Sequence, residues 1–321
     1  MTLPRSPRRF LFALVALSLV AAACGGSGSG SGTGSGAEAC ISPTGARPCI
    51  GALTAGAVHL SMIAAQDRLT SGTFLLTFGL TTDQGGLLTG GSPQVFIAKD
   101  RRSATLGPFP AGFYQFTPNP DDKSPRSPLT GFYAARIDVP SNGRWIVAAV
   151  ATIGSKKNAA TELIDATNPD SVPAPVGSKA ISVATPVATT LAKLKEICTR
   201  IPPDPMHYIS LDKALTNGKP TVVTFATPLL CESMLCGPVV DEQLLVLQRY
   251  GPKRANFIHV EEFPPGPDHK PDPNVLPSYW LKWGFTTEPW TIVIDRHGII
   301  RARFEGPVTA ALIDQALKPL L

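Results

Sequence analysis

The sequence predicts an all-β sandwich domain followed by an α/β domain, and three features of the chain support this. Short runs of alternating or apolar β-forming residues, separated by turn-forming residues, recur through residues 50–153. Prolines interrupt the next segment, 154–203, which we interpret as a Pro-rich linker. Strand-like and helix-like segments then alternate through 204–321, which is typical of an α/β domain. The 321-residue chain is long enough for two hydrophobic cores.

Residues 1–23 have the features of a signal peptide. Three arginines precede an apolar segment, 10–20, that is too short to span a membrane, and three alanines at 21–23 suit a cleavage site. Cys24 follows directly, and this arrangement resembles a bacterial lipobox, although Ala21 stands where Leu or Val is commoner. The resemblance implies lipidation of Cys24. An ordinary secretory signal with a chance cysteine is the alternative.

The segment 24–39 is predicted to be a flexible tether. Residues 25–36 are almost entirely Gly, Ser and Thr, a composition that behaves as a random coil with a reach of about 19 Å. A lipid on Cys24 followed by such a tether predicts a membrane-anchored lipoprotein on the extracytoplasmic face. Export would place the remaining cysteines in an oxidising compartment.

The charge of the chain indicates no nucleic-acid partner. The formal net charge of +5 includes three arginines of the signal peptide, so little net charge remains after cleavage. No cluster of basic residues with interleaved aromatic residues occurs in the sequence.

Cys231 and Cys236 are the most informative residues in the second half of the chain. They lie in a short loop between an apolar, strand-like segment, 221–226, and a helix-like segment, 237–250. The first turn of a helix presents unpaired N–H groups and the positive end of the helix dipole. Both stabilise a thiolate, which is the reactive form of cysteine. The position therefore predicts thiol–disulfide chemistry.

Two further motifs carry a resemblance to the thioredoxin-like superfamily. The order β-α-β, then β-β-α, across 204–321 is similar to that fold, and the Cys-Gly-Pro tripeptide that begins at Cys236 is similar to thioredoxin active sites. Pro289, just before a predicted strand, matches the cis-proline that faces the cysteines in that family. The chain also resembles exported bacterial thioredoxin-like lipoproteins, here with an N-terminal Ig-like β-sandwich. The resemblance implies a thiol–disulfide oxidoreductase whose catalytic residues are Cys231, Cys236 and Pro289.

The cysteine spacing departs from the family pattern, because four residues separate Cys231 and Cys236 instead of two. If Cys236 occupies the helix end, it is the nucleophile and Cys231 resolves the mixed disulfide from the loop. If Cys231 fills the first position, the loop is enlarged and the roles are reversed. We prefer the first assignment, because Gly-Pro directly after Cys236 suits a helix start.

Other functions remain open from the sequence. The pair can be a structural disulfide, as most cysteine pairs in exported proteins are. It can also bind copper, as in Sco-type proteins, which use two cysteines and a distant histidine; Met234, His259 and His269 are the other potential ligands. That family has three residues between its cysteines, and we predict no metal. A non-catalytic binding module is the remaining alternative.

Two more expectations concern the remaining cysteines. Cys40 and Cys49 flank a short loop and are predicted to form a structural disulfide. This leaves Cys198 unpaired in the predicted linker.

The leading function is therefore an extracytoplasmic thiol–disulfide oxidoreductase that uses no cofactor. Its expected partners are exported protein thiols or a membrane reductant. Because the linker is rich in proline, we expect the segment 204–321 to fold by itself.

Overall fold

The computed structural model describes residues 40–41, 47–66, 68–125, 129–171 and 174–321. The predicted signal peptide, the tether and Cys24 lie outside these described residues. Residues 37–321 belong to one compact unit. Within the described ranges, no helix combines the length and the apolar character that a membrane crossing requires.

The first half of the described chain builds one nine-stranded sheet. Its strands follow in the order β1-β9-β8-β5-β6-β7-β4-β2, with β3 paired to β9. A short helix, α1 (Ile50–Thr54), precedes them. The strands are β1 (Val58–His59), β2 (Ser61–Ala64), β3 (Arg68–Thr70), β4 (Gly72–Thr81), β5 (Gln94–Ala98), β6 (Leu106–Gln115), β7 (Gly131–Val139), β8 (Gly143–Ile153) and β9 (Lys156–Thr167).

The two ends of this sheet meet at Leu60, so that the sheet is nearly closed and resembles a barrel. β1 pairs in parallel with β9, and β2 pairs antiparallel with β4. Only Leu60 separates β1 from β2 in the chain, and its N–H donates to the carbonyl of Ala159 at 2.9 Å. Closure leaves inward-facing side chains to fill the interior, among them Leu76, Phe78 and Tyr133.

The second half contains a four-stranded sheet with the order β11-β10-β12-β13. β10 and β11 are parallel, whereas β12 and β13 are antiparallel to their neighbours. The strands are β10 (Thr221–Phe225), β11 (Asn256–Val260), β12 (Trp290–Ile294) and β13 (Ile300–Glu305). The helices are α2 (Leu191–Ile197), α3 (Leu211–Ala214), α4 (Cys236–Arg254), α5 (Ser278–Trp283) and α6 (Ala310–Leu317). α4 is broken at Gly251, where φ is 72°.

Both faces of the second sheet are covered, which explains the apolar run of β10. Every residue of β10, β11 and β12 is buried. One face packs against α4 and α6 in a core that also includes Phe116 and Phe132 from the first half. The opposite face holds an aromatic cluster that includes Trp280, Trp283 and Phe285.

The predicted fold class, an all-β sandwich domain followed by an α/β thioredoxin-like domain, is wrong. The described chain is mostly β, with 34% of residues in strands and 20% in helices, and its first nine strands form one nearly closed sheet. Alternating hydrophobicity shows which face of a strand is buried, but not which strands pair. β6 changes partner along its length, from β5 at Phe109 to β7 at Ala111. Such exchanges close a sheet on itself instead of dividing it into two layers.

The segment 154–203, predicted as a linker, contributes regular structure to the fold. It contains β9, which pairs with β8 from residue 156 to residue 166, and the helix α2. Contacts also join the two sheets on either side of it: the amide N–H of Thr117, after β6, donates to Glu242 Oε1 in α4 at 2.5 Å. The same carboxylate accepts from the N–H of Ala310 at the start of α6 at 2.7 Å. Glu242 therefore links the first sheet to both helices.

Candidate functional site

The cysteine pair lies at the junction between β10 and α4. Cys236 is the first residue of α4, and Cys231 lies in the preceding loop. A disulfide joins them, with their Cα atoms 6.0 Å apart. The loop turns back on itself because the N–H groups of Leu230 and Cys231 both donate to the carbonyl of Thr227. Met234, with φ of 54°, adopts a left-handed conformation that completes the turn.

The environments of the two sulfur atoms differ. Cys231 Sγ accepts from the N–H of Cys236 at 3.3 Å and lies 3.3 Å from the hydroxyl of Ser233. Cys231 is 6% exposed, whereas Cys236 is completely buried. A thiolate on Cys231 would be stabilised by the amide at the helix start and reached more easily by a partner. The geometry therefore favours Cys231 as the attacking cysteine, the reverse of our preference from sequence.

Pro289 lies at the end of the sheet beside this loop. It precedes β12, whose first residue, Trp290, pairs with Phe225 at the end of β10. The Glu288–Pro289 peptide bond is cis, and the carbonyl of Pro289 accepts from the N–H of Gly306 at 2.9 Å. The fold therefore holds Pro289 at the same sheet end as the cysteine loop.

Glu288 is the residue of this site that the sequence did not reveal. One of its carboxyl oxygens lies within 4.8 Å of both cysteine sulfurs. Its Oε2 is buried and has no hydrogen-bond partner among the described residues. Burial raises the pKa of Glu288 to about 8, and the nearby carboxyl groups of Glu262 and Glu261 act in the same direction. Glu288 thus carries a proton at neutral pH beside the disulfide. From the sequence, only the next residue, Pro289, was singled out, because it matches the cis-proline of thioredoxin-like proteins.

Two further carboxyl groups with raised pKa values follow β11. Burial raises the pKa of Glu261 to about 7 even though the side chain accepts from the N–H and hydroxyl of Thr199 at 2.6 and 2.8 Å. Burial likewise raises the pKa of Glu262 to about 7. The amide N–H of Glu262 donates to Thr227 Oγ1 at 2.9 Å, which ties this segment to the cysteine loop. Glu288 is therefore the carboxyl group that lies beside the disulfide, whereas the Glu262 backbone connects to the cysteine loop through Thr227.

A loop of the first half packs against the start of α4. We call residues 117–125 the covering loop. A Cβ on Gly237 would lie 3.4 Å from Asp122 Oδ2 and 3.5 Å from the carbonyl of Pro125. The side chain of Asn119 donates to Asp241 in α4 at 2.8 Å. The nine-stranded sheet thus supports the helix that carries Cys236.

The histidines considered for copper are not grouped with the cysteine pair. Among the described residues, the potential metal ligands within 4.8 Å of one another at this pair are Cys231, Cys236 and Glu288. His259 is buried in a different cluster, with Cys198. His269 is exposed, and its Nδ1 lies 3.0 Å from the carbonyl of Lys195.

The other cysteines occupy two separate environments. Cys40 and Cys49 form a disulfide, with Cα atoms 5.5 Å apart, immediately before α1. Cys198 is a buried free thiol at the end of α2. Burial and the charge of Asp204 raise the pKa of Cys198 to about 12, so this thiol is not a nucleophile at neutral pH.

A cavity of about 870 Å³ lies elsewhere, between β4 and β13. Its walls include Arg136, Trp290 and Arg303, but none of the cysteines. We therefore take the cysteine loop, where the disulfide and Glu288 lie close together, as the candidate functional site.

Comparison of the chain with protein-family models and with curated proteins found no match. The function is therefore inferred from the site itself.

Proposed function

We propose that this protein exchanges thiols and disulfides with exported proteins, through Cys231 and Cys236. The observation that carries the proposal is the hydrogen bond from the N–H of Cys236, at the start of α4, to Cys231 Sγ. This arrangement stabilises negative charge on the sulfur that is nearer to the solvent. A purely structural disulfide would need neither this donor nor the carboxyl group of Glu288.

In the reducing direction, the thiolate of Cys231 attacks one sulfur of a client disulfide. The client S–S bond breaks, its other sulfur leaves as a thiolate, and a mixed disulfide forms with Cys231. Cys236, after losing its proton, then attacks Cys231 Sγ, which restores the Cys231–Cys236 disulfide and releases the second client thiolate. The client gains two electrons and the pair loses two. A membrane dithiol reductant would return the pair to its reduced form, and the reverse sequence oxidises a client dithiol.

Glu288 is close enough to the resolving cysteine, Cys236, to exchange a proton with its thiol. Cys236 is completely buried, so its thiol cannot pass a proton directly to water. A carboxyl group within 4.8 Å, with a pKa of about 8, can accept that proton when ionised and return it when protonated. This role makes Glu288 the general acid–base group of the exchange.

The exchange should therefore respond to removal of the Glu288 carboxyl. In Glu288→Gln, resolution of the mixed disulfide should slow on the order of 100-fold, since proton transfer contributes about that much in general acid–base catalysis. In the parent, the rate of resolution should change near pH 8, where Glu288 ionises, and this change should also disappear in the variant. Stopped-flow measurement of tryptophan fluorescence during turnover of a peptide disulfide would record both effects.

The same substitution should change the dependence of stability on pH. A carboxyl group whose pKa is raised from 4.5 to about 8 on folding stabilises the folded state below about pH 4.5, and this contribution is lost as pH rises to about 8. Glu288→Gln should lose that slope and be more stable than the parent at pH 8, by on the order of a few kcal/mol. Glu232→Gln, in the exposed part of the same loop, is the matched control. An unchanged rate and slope in Glu288→Gln would remove Glu288 from the mechanism.

We further propose that the protein is anchored to the extracytoplasmic face of the membrane through Cys24. The support is the sequence, in which Cys24 follows an apolar segment and precedes a Gly/Ser tether. Cys24→Ala should release the protein from membrane fractions, whereas Ser27→Ala in the tether should not. Mass spectrometry of the mature protein should find a diacylglyceryl group on Cys24. A mature N-terminus at another residue would contradict the anchor.

A further inference from the structure

A second group of metal-binding side chains lies at the ends of β10 and β11, apart from the cysteine pair. Cys198, Asp204, His207 and His259 each place one ligand atom within 4.8 Å of the others. All four residues are at most 4% exposed. Burial of a thiol, a carboxylate and two imidazoles together is costly unless their polar atoms are paired or coordinate a metal.

The polar atoms of this cluster are not all paired with one another. His207 Nε2 is buried and has no hydrogen-bond partner among the described residues. It points into the cluster, where it lies 3.6 Å from Asp204 Oδ2. The rings of His207 and His259 have centroids 5.0 Å apart, so both imidazoles border the same space. A buried imidazole nitrogen that makes no hydrogen bond, yet lies within 4.8 Å of a thiol, a carboxylate and a second imidazole, indicates a site for a ligand among them.

Two of the other three side chains, those of His259 and Asp204, are oriented by contacts outside the cluster that leave one atom of each directed at its centre. His259 Nε2 lies 2.9 Å from the carbonyl of Ala226, which leaves Nδ1 facing the cluster. Asp204 Oδ1 accepts from the N–H of Met206 at 2.9 Å, which leaves Oδ2 facing the cluster. Contacts of this kind fix the orientation of metal ligands in proteins.

We propose that Cys198, Asp204, His207 and His259 bind one zinc ion. Zinc prefers four ligands of this type in a tetrahedron, with bonds of about 2.0–2.3 Å that place the ligand atoms roughly 3.3–3.6 Å apart. Here Cys198 Sγ lies 3.3 Å from Asp204 Oδ2 and 3.9 Å from His259 Nδ1. His207 Nε2 lies 3.6 Å from the same carboxylate oxygen. These three of the six ligand–ligand separations are close to the edges of a zinc tetrahedron, and His207 Nε2 lies within 4.8 Å of the ligand atoms of Cys198 and His259.

One distance must widen on binding. Asp204 Oδ2 and His259 Nδ1 are 2.7 Å apart, in hydrogen-bond contact. The zinc ion would replace the proton between these atoms, and their separation would increase by roughly half an ångström, toward the spacing of tetrahedral ligands. The thiol proton of Cys198 would also be released, because the thiolate is the ligand form.

The zinc site would also stabilise the cysteine loop. Thr199, next to Cys198, binds Glu261 through its N–H and hydroxyl. Its Oγ1 accepts from the N–H of Leu229, two residues before Cys231, at 3.2 Å. A metal bound to Cys198 would therefore hold Thr199 in place, and with it the start of the cysteine loop at Leu229. The zinc site is nevertheless independent of the proposed exchange reaction and can be tested without it.

The test is metal binding by the full chain with its disulfides oxidised. After treatment with a chelator and dialysis with zinc, the parent protein should hold one zinc ion per chain by atomic emission. Cobalt(II) in place of zinc should give the visible absorption of a tetrahedral site and a thiolate-to-cobalt charge-transfer band. Cys198→Ser should remove that band, and Cys198→Ser or His207→Ala should weaken zinc binding by at least about tenfold.

Two controls separate this site from other ligands. His269→Ala changes an exposed histidine outside the cluster and should bind zinc like the parent. The double variant Cys231→Ser/Cys236→Ser should also retain the zinc. Absence of stoichiometric zinc in the parent, loss of zinc in the double variant, or preference for copper(I) over zinc would overturn the proposal. If a cluster variant does not fold, the cobalt spectrum of the parent still decides, because a spectrum without the thiolate band contradicts ligation by Cys198.

Discussion

Replacing Cys231 with serine should abolish thiol–disulfide exchange, whereas replacing Cys236 with serine should trap clients as mixed disulfides. Cys231 Sγ is the sulfur that accepts from the helix N–H, and Cys231 is 6% exposed whereas Cys236 is fully buried. Without it no mixed disulfide can form, so the rate of exchange should fall to that of the uncatalysed reaction in buffer alone. Without Cys236 the first attack still occurs, but nothing resolves its product.

Non-reducing gel electrophoresis of each variant, incubated with a disulfide-containing peptide, measures this outcome. A covalent adduct should accumulate in Cys236→Ser and be absent from Cys231→Ser. Ser233→Ala is the matched control, because it removes only the hydroxyl beside Cys231 and keeps both cysteines. If the adduct forms on Cys236 instead, the assignment from sequence was right and the geometric one is wrong. If neither variant forms an adduct, the pair is structural.

The buried ion pair between Arg200 and Asp241 should make a large contribution to the stability of the folded protein. Arg200 Nη2 and Nε lie 2.7 and 3.1 Å from Asp241 Oδ1, and the two side chains are 4% and 3% exposed. Arg200→Met should lower the free energy of unfolding by about 3–5 kcal/mol, because it leaves a carboxylate buried without its counter-charge. Urea denaturation followed by circular dichroism would measure the loss.

A double variant distinguishes this cause from a general loss of packing. Arg200→Met/Asp241→Leu removes both charges and should recover much of the lost stability, since well-packed apolar pairs replace buried ion pairs at little cost. Arg144→Met is the matched surface control, because the Arg144–Asp165 pair is 69% and 54% exposed and should matter little. A double variant less stable than Arg200→Met would show that the shape of the site, not its charge, is decisive.

This ion pair also bears on whether the second half folds by itself. A fragment of residues 204–321 would lack Arg200, the covering loop and Phe116, all of which contact α4 or its core. From the sequence we expected such a fragment to be stable. The contacts now indicate that it would be less stable than the whole chain.

The sequence predicted the local parts of the site well, because local patterns determine them. The apolar run of β10, the cysteine loop and the start of α4 lie close to the predicted segments 221–226 and 237–250. Gly-Pro after Cys236 correctly indicated a helix beginning there. Periodicity and turn residues act over a few positions, so they are visible without knowledge of the fold.

The parts that depend on distant residues could not be predicted in this way. Glu288 approaches the disulfide only because β12 pairs with β10, and Cys198 meets His259 only because the end of α2 lies over β11. Closure of the nine-stranded sheet likewise depends on Leu60, where the chain passes from β1, which pairs with β9, to β2, which pairs with β4. A single sequence has no local signal for such pairings.

The meeting of the two sheet ends at Leu60 has a consequence for self-association of the protein. A closed sheet offers no free edge to which a strand of another molecule can add, and this protects β-rich proteins against aggregation. Here a few residues, 58–64, cover the backbones of both β9 and β4. Release of that short segment would expose β9 at residues 158–159 and β4 at residues 78–81 at once. A proteolytic cut or a substitution in this segment would therefore convert a protected fold into one prone to self-association.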